Sequence, residues 1–330
     1  MLMKLYHFPQ KHLLLVLPSV LIISFIIGLN VDTSALGSTI LAATIIMIFA
    51  TMVGLKLQEL TKIRQESKLI GVSFLINFIW IPLVAMLIGF TILRDEPLMF
   101  AGLALVALLP TSGMTIAWTG IQKGNVPAAV KLTVFGLIIG SVLTPWYLLV
   151  MVGQYVPIDI FNTFQTIFTV VFVPLVLGQI ATKLIMKKVT QQEFQRKIKP
   201  NLAPLSIWGL LYVVFVSTSA RAEMLVGNLS LIVLAAFSIL LFYVINYVFA
   251  TFVARKVFNR NDGIALVNGT VLRNLSIAIG IAATAFSAEA AILVTIAFMF
   301  QYSSISFYAK FAGKRWFKES AVTSGSEASV

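Results

Sequence analysis

Residues 102–118 read GLALVALLPTSGMTIAW, and residues 263–278 read GIALVNGTVLRNLSIA. The run from Gly102 to Val106 recurs from Gly263 to Val267 at an offset of 161, and at the same offset Thr115-Ile116-Ala117 recurs as Ser276-Ile277-Ala278. Eight residues separate the matching pieces in each copy, Ala107 to Met114 and Asn268 to Leu275. The first eight hold Pro110 followed by Thr111, Ser112 and Gly113. The second hold Asn268, Gly269 and Thr270, then Arg273 and Asn274. Proline lacks a backbone donor and glycine is a weak helix former. Each copy therefore reads as a helix, a break and a second helix.

The text around these copies sets their environment. Of 330 residues 59 % are hydrophobic and only 11 % charged, against about 45–50 % and about 25 % in soluble domains. A transmembrane helix takes about 20 apolar residues, so roughly 195 apolar positions furnish on the order of ten spans. Polar and Pro/Gly boundaries mark them at about 12–30, 37–55, 69–93, 97–120, 127–152, 160–186, 202–220, 228–254, 263–285 and 287–311. The fold class expected is an all-α membrane protein of ten transmembrane helices. The first run is too long for a signal peptide and lacks a clear cleavage site, so it reads as a retained span.

Basic residues give the direction of travel. With the N-terminus inside, 20 Lys and Arg lie on the inner side and only Arg94 and Arg221 on the outer. This asymmetry predicts cytoplasmic termini and an even number of spans, and it accounts for the net charge of +12 without nucleic acid as a partner; the location expected is the plasma membrane. The fourth span then runs inward and the ninth outward. Similar text threaded in opposite senses predicts two inverted five-helix halves, 12–152 and 160–311, in one membrane domain, 1–311, with a cytoplasmic tail, 312–330. The end of that tail is small and polar and reads as disordered.

Interrupted backbone at mid-bilayer depth survives only where protein or a water-filled cavity satisfies it, so paired breaks predict a substrate site. Thr111, Ser112, Thr115, Asn268, Thr270, Asn274 and Ser276 supply neutral hydrogen-bonding groups around it. Arg273 adds a charge that cannot be lost by deprotonation. It must face a cavity, a carbonyl cage or an anion, and the sequence leaves ligand binding and structural bonding both open. The half-helices resuming near Met114 and Leu275 would present positive N-terminal ends there. All twelve acidic residues fall in loops or tails. The expected partners are therefore the lipid bilayer and a small anionic or polar solute, with no obligate protein partner evident. Lys131, about one turn into the fifth span, reads as a snorkelling lysine. Gly136 and Gly140 read as a close-packing pair. With no cysteine, and His7 and His12 both before the first span, no metal centre, cofactor or catalytic group is expected, and an enzyme is disfavoured.

These stretches resemble a known group. Pro110 to Trp118, with Lys123-Gly124-Asn125, is similar to the fourth-helix motif of the bile acid:sodium symporter and arsenite permease superfamily, and Asn268 to Ala278 to its ninth-helix motif. The resemblance implies a panel domain beside a core domain, with broken helices 4 and 9 crossing near the midplane. The departures are specific. The symporters' Ser-Asn pair is matched by Thr115 and Ile116, and their sodium-binding Glu and Gln fall on Gly269 and Arg273. Thr133 keeps a hydroxyl at a coupling-ion position. The arsenite permeases' Cys and Glu are matched by Thr111 and Ser276. The resemblance thus implies a secondary carrier of a small organic anion working by alternating access without the usual sodium sites. An arsenite efflux permease and a non-transporting receptor with the carrier fold are the alternatives.

Overall fold

The computed structural model describes residues 2–55, 57, 66–156, 160–220, 222–223 and 229–316. Lys56, Lys62, Arg64, Asp159, Arg221, Lys318 and the end of the tail, from which part of the topology was read, lie outside the described residues.

The described chain is helical throughout, with no strands. Its helices are α1 (Leu2–Lys11), α2 (Leu13–Gly28), α3 (Ile40–Met52, led in by a 3-10 turn), α4 (Ser67–Thr91), α5 (Pro97–Leu108), α6 (Gly113–Ile121), α7 (Val126–Val152), α8 (160–186), α9 (Gln191–Ser219), α10 (Leu229–Val257), α11 (Arg260–Val271), α12 (Leu275–Phe286) and α13 (Ala288–Trp316). Seven are long and apolar enough to cross a membrane, and α5 and α12 are shorter apolar helices. Large apolar side chains such as Leu15, Phe161, Val233 and Val248 stand exposed on the outer faces. In water such surface would be a liability, whereas acyl chains accept it. The protein is a multi-pass membrane protein.

Local chemistry explains where the helices depart from the sequence-based bounds. Residues 2–11, left outside the first expected span, form a helix of their own. Tyr6 Oη donates to the Asn201 carbonyl over 2.6 Å and Trp208 Nε1 to the Tyr6 carbonyl over 3.1 Å, which tie α1 to α9. The seventh helix starts at Gln191 rather than near 202. Thr190 and Glu193 form a capping box, each side chain accepting from the other's backbone N–H over 3.2 Å. At the other end α13 runs to Trp316, five residues past its expected stop. Inside α4 a π turn, Ile76–Trp80, precedes Pro82. The missing N–H of Pro82 frees the carbonyl four residues earlier, that of Phe78, and the Tyr147 hydroxyl donates to it.

Helices α2, α3, α8 and α9 pack as one group, and α4–α7 with α10–α13 as a second, larger one. The larger group approaches closely because of small residues: a Cβ on Gly102 of α5 would lie 2.7 Å from the Ala290 carbonyl oxygen of α13. Its centre holds both interrupted helices.

Candidate functional site

Helix α5 stops because Pro110 cannot donate to Val106, and Thr111 turns away into left-handed backbone (φ 59°). Ending a helix orphans its last four carbonyls, here at apolar depth, and each has a traceable partner. Val106 O accepts from Arg273 Nε over 2.9 Å and Ala107 O from Arg273 Nη2. Leu108 O lies 3.5 Å from Thr144 Oγ1, and Leu109 O accepts the Asn274 N–H over 2.8 Å. The end of α11 is served in the same way. Gly269 O accepts from Asn77 Nδ2 over 3.1 Å, Thr270 O from Arg273 Nη1 over 2.9 Å and Leu272 O from the Thr111 N–H over 3.0 Å. Pro110 and Arg273 form an antiparallel bridge, so the two breaks satisfy one another.

Arg273 is thus a shared C-cap. Only 1 % of its surface is exposed. Helix C-termini carry partial negative charge, and two of them, α5 and α11, converge on one guanidinium. Asn77 Oδ1 accepts from Nη1 over 2.5 Å. Four of the five guanidinium donors are therefore committed to carbonyl oxygens. Of the two roles the sequence left open for Arg273, this arrangement is the carbonyl cage, with no side of the guanidinium presented to solvent.

The other predicted site residues divide by exposure. Thr111, Thr115, Asn268 and Thr270 are buried and bonded within the protein. The Thr111 hydroxyl lies 2.8 Å from Pro110 O and 3.2 Å from Thr133 O. Thr115 Oγ1 donates to Asn268 O over 3.3 Å, and Asn268 Nδ2 donates to Thr119 Oγ1 over 3.1 Å, which ties α6 to α11. The Thr270 and Thr133 hydroxyls bond back to their own helices, to Leu266 O and Ala129 O, each over 2.8 Å. Ser112, Asn274 and Ser276 are half-buried. Ser112 caps α6 and Asn274 caps α12, and a Cβ placed on Gly113 would meet only open space. The accessible part of the breaks is thus the start of α6 and α12, with neutral side chains around it. Gly136 and Gly140 admit the proline break against α7: a Cβ at these positions would come within 2.6 Å of Thr111 Oγ1 and 2.8 Å of Pro110 Cδ.

Three residues that the repeat does not single out complete the site. Gln301 of α13 accepts the Arg273 N–H over 2.7 Å and donates to the Arg273 carbonyl over 3.2 Å, much as a neighbouring strand would. Tyr243 donates to the same amide oxygen over 2.9 Å and so orients it. Asn77 of α4 holds the guanidinium and the Gly269 carbonyl together. The only signal of Asn77 and Gln301 in the sequence is an amide inside an otherwise apolar span, and Tyr243 gives none. A further correction concerns Lys131. It does not snorkel to the interface: its side chain is 3 % exposed and forms an ion pair with Glu66, at the start of α4.

Residues 41–228, more than half the chain, match the sodium bile acid symporter family. The chain is 24 % identical to the uncharacterized protein YbaS of Bacillus subtilis over 68 % of this chain and 72 % of that one. It is 23 % identical to the arsenical-resistance protein Acr3 of Corynebacterium glutamicum, over 79 % of this chain and 73 % of the relative. With sodium/bile acid cotransporter 7-B of Xenopus laevis it shares 26 % over 71 % of this chain and 68 % of the relative.

Proposed function

The chain belongs to the sodium bile acid symporter family, a family of transporters rather than enzymes, and from that premise we propose that it is a sodium-independent secondary carrier of a small polar or anionic solute. One observation carries the reading: the Arg273 guanidinium sits among the carbonyl oxygens of both broken helices, bonded to Val106, Ala107, Thr270 and Asn77. A cluster of carbonyl oxygens is the kind of ligand set that holds a bare cation. Here a tethered cation fills it, so no dissolved ion is needed to join the breaks. The solute's negative or polar end is assigned to the starts of α6 and α12, where Ser112, Asn274 and Ser276 remain half-buried and helix dipoles favour anions.

The same reading places ten spans in two inverted halves, 12–152 and 160–311, within one domain of residues 1–311. Both termini and the tail lie in the cytoplasm, and the carrier sits in the plasma membrane. The excess of basic residues on one side of the helix ends supports this orientation. Rocking of the smaller helix group against the larger would supply alternating access. The likeness to an arsenical-resistance protein keeps arsenite efflux as the competing reading, and expression in an arsenite-sensitive strain separates the two. The Thr111 hydroxyl, at the position the permeases give to a thiol, is already engaged with backbone carbonyls, which favours the organic solute.

The expected result for purified protein is a melting temperature that moves by no more than about 1 °C when sodium chloride replaces choline chloride. Counterflow of the best-stabilising organic anion in proteoliposomes should likewise be indifferent to sodium. A sodium-dependent rise in either measurement sinks the proposal, and binding without counterflow would make the protein a receptor.

A further inference from the structure

Away from the breaks, α8 carries Asn162, Gln165, Thr166 and Thr169. Their spacing of three, four and seven puts all four on one helix face, while Phe161, Phe164 and Phe168 on the same helix stand exposed. A polar stripe of this kind is costly against acyl chains. It lines instead a cavity of about 420 Å³, whose other walls are Gly37, Ile40 and Leu41 on the α3 side and Ala283 and Thr284 of α12. That volume is of the size that holds a small-molecule ligand. The cavity sits between the smaller and the larger helix groups, at the end of the bundle that the charge asymmetry places outside.

One turn below Ile40 lies Thr44, and one turn below Thr284 lies Gly280. A Cβ on Gly280 would come within 2.2 Å of Thr44 Cγ2, so the two helices touch there with nothing between them. Thr44 is fully buried, yet its hydroxyl has no hydrogen-bond partner among the described residues. A buried hydroxyl without a partner disfavours the closed seam, and parting the helices would give that hydroxyl a solute or water to bond.

We propose that this cavity is an outer subsite that reads the uncharged hydroxyl groups of the transported solute, above a floor formed by Thr44 and Gly280. Among the described residues the lining holds amides and hydroxyls and no charged side chain. Selection there is by neutral hydrogen bonds, so a hydroxylated solute is retained and its deoxy counterpart is not. A site that hydrogen-bonds hydroxyl groups rejects an analogue lacking them, because its own polar groups are then left unpaired. This inference rests on the carrier reading, and it assigns to that carrier a small hydroxylated substrate.

The chain's lack of cysteine makes the test direct. In Gln165→Cys protein in intact cells, a membrane-impermeant maleimide should label the new thiol, and gluconate should slow the labelling about threefold at twice its dissociation constant. Hexanoate, of equal carbon number and charge but without hydroxyls, should not slow it. A Ser34→Cys variant, exposed at the same end outside the cavity, is the accessible control that neither acid protects. Adding Thr166→Val and Thr169→Val to Gln165→Cys should abolish the gluconate effect. Labelling indifferent to gluconate, or slowed equally by hexanoate, overturns the subsite. Protection is read without turnover, so it is independent of the counterflow that tests the carrier reading.

Discussion

Replacing Arg273 with leucine should cost the protein most of its stability in detergent, on the order of several kcal/mol. The change strips donors from Val106 O, Ala107 O, Thr270 O and Asn77 Oδ1 at once, and each buried acceptor left alone costs about 1–3 kcal/mol. Arg273→Lys should recover little of this. A lysine ammonium has three donors on a flexible stem and cannot reproduce the planar fork that reaches carbonyls of two different helices. The more telling variant is Arg273→Gln, which removes the charge and leaves an oxygen-lined hollow. Sodium chloride, and not choline chloride, should then raise the melting temperature of the variant while leaving the parent protein unmoved. A variant that melts like the parent would show that the guanidinium does not join the breaks. A variant that folds and ignores sodium would remove the tethered-cation explanation for sodium independence.

The second large effect concerns the Lys131–Glu66 pair, and its two halves should differ. Glu66→Gln leaves Lys131, whose side chain is 3 % exposed, as a buried charge without its carboxylate. Breaking a buried pair in this way costs about 3–5 kcal/mol. Lys131→Met leaves Glu66, whose side chain is 14 % exposed at the start of α4 and can regain water. That loss should be nearer about 1 kcal/mol. The double variant should melt closer to the parent than Glu66→Gln does, because no charge is then stranded. Thermal and chemical denaturation of the four proteins gives the cycle. Equal losses for the two single variants would mean that both side chains are solvated to the same degree, against the burial described above.

The positions of the helices were legible from apolar runs and their polar boundaries, since a helix in lipid must satisfy its backbone internally and be apolar along its length. The breaks at Pro110 and near Arg273 were legible because proline, glycine and hydroxyl residues interrupt that text twice at one offset. Less legible were the helices at 2–11 and 191–198, whose polar sequences give no hydropathy signal and whose existence depends on a capping box and on contacts with α9. The partners of Arg273 were not legible at all. Asn77 and Gln301 lie 196 and 28 positions away in the chain, Tyr243, which orients Gln301, lies 30 away, and Val106 and Ala107 contribute only carbonyl oxygens, which every residue possesses.

The amino-acid sequence by itself determined that this chain lives in a membrane, that two of its helices are interrupted, and that one interruption carries an arginine with no intramembrane carboxylate to match it. Tertiary structure alone decided what that arginine does. A guanidinium at apolar depth must find acceptors, and whether these belong to a solute or to the protein depends on which carbonyls the folded helices bring within about 3 Å of its nitrogens. Here the ends of α5 and α11 arrive together and take it, which leaves the half-buried neutral groups at the starts of α6 and α12 as the accessible part of the breaks.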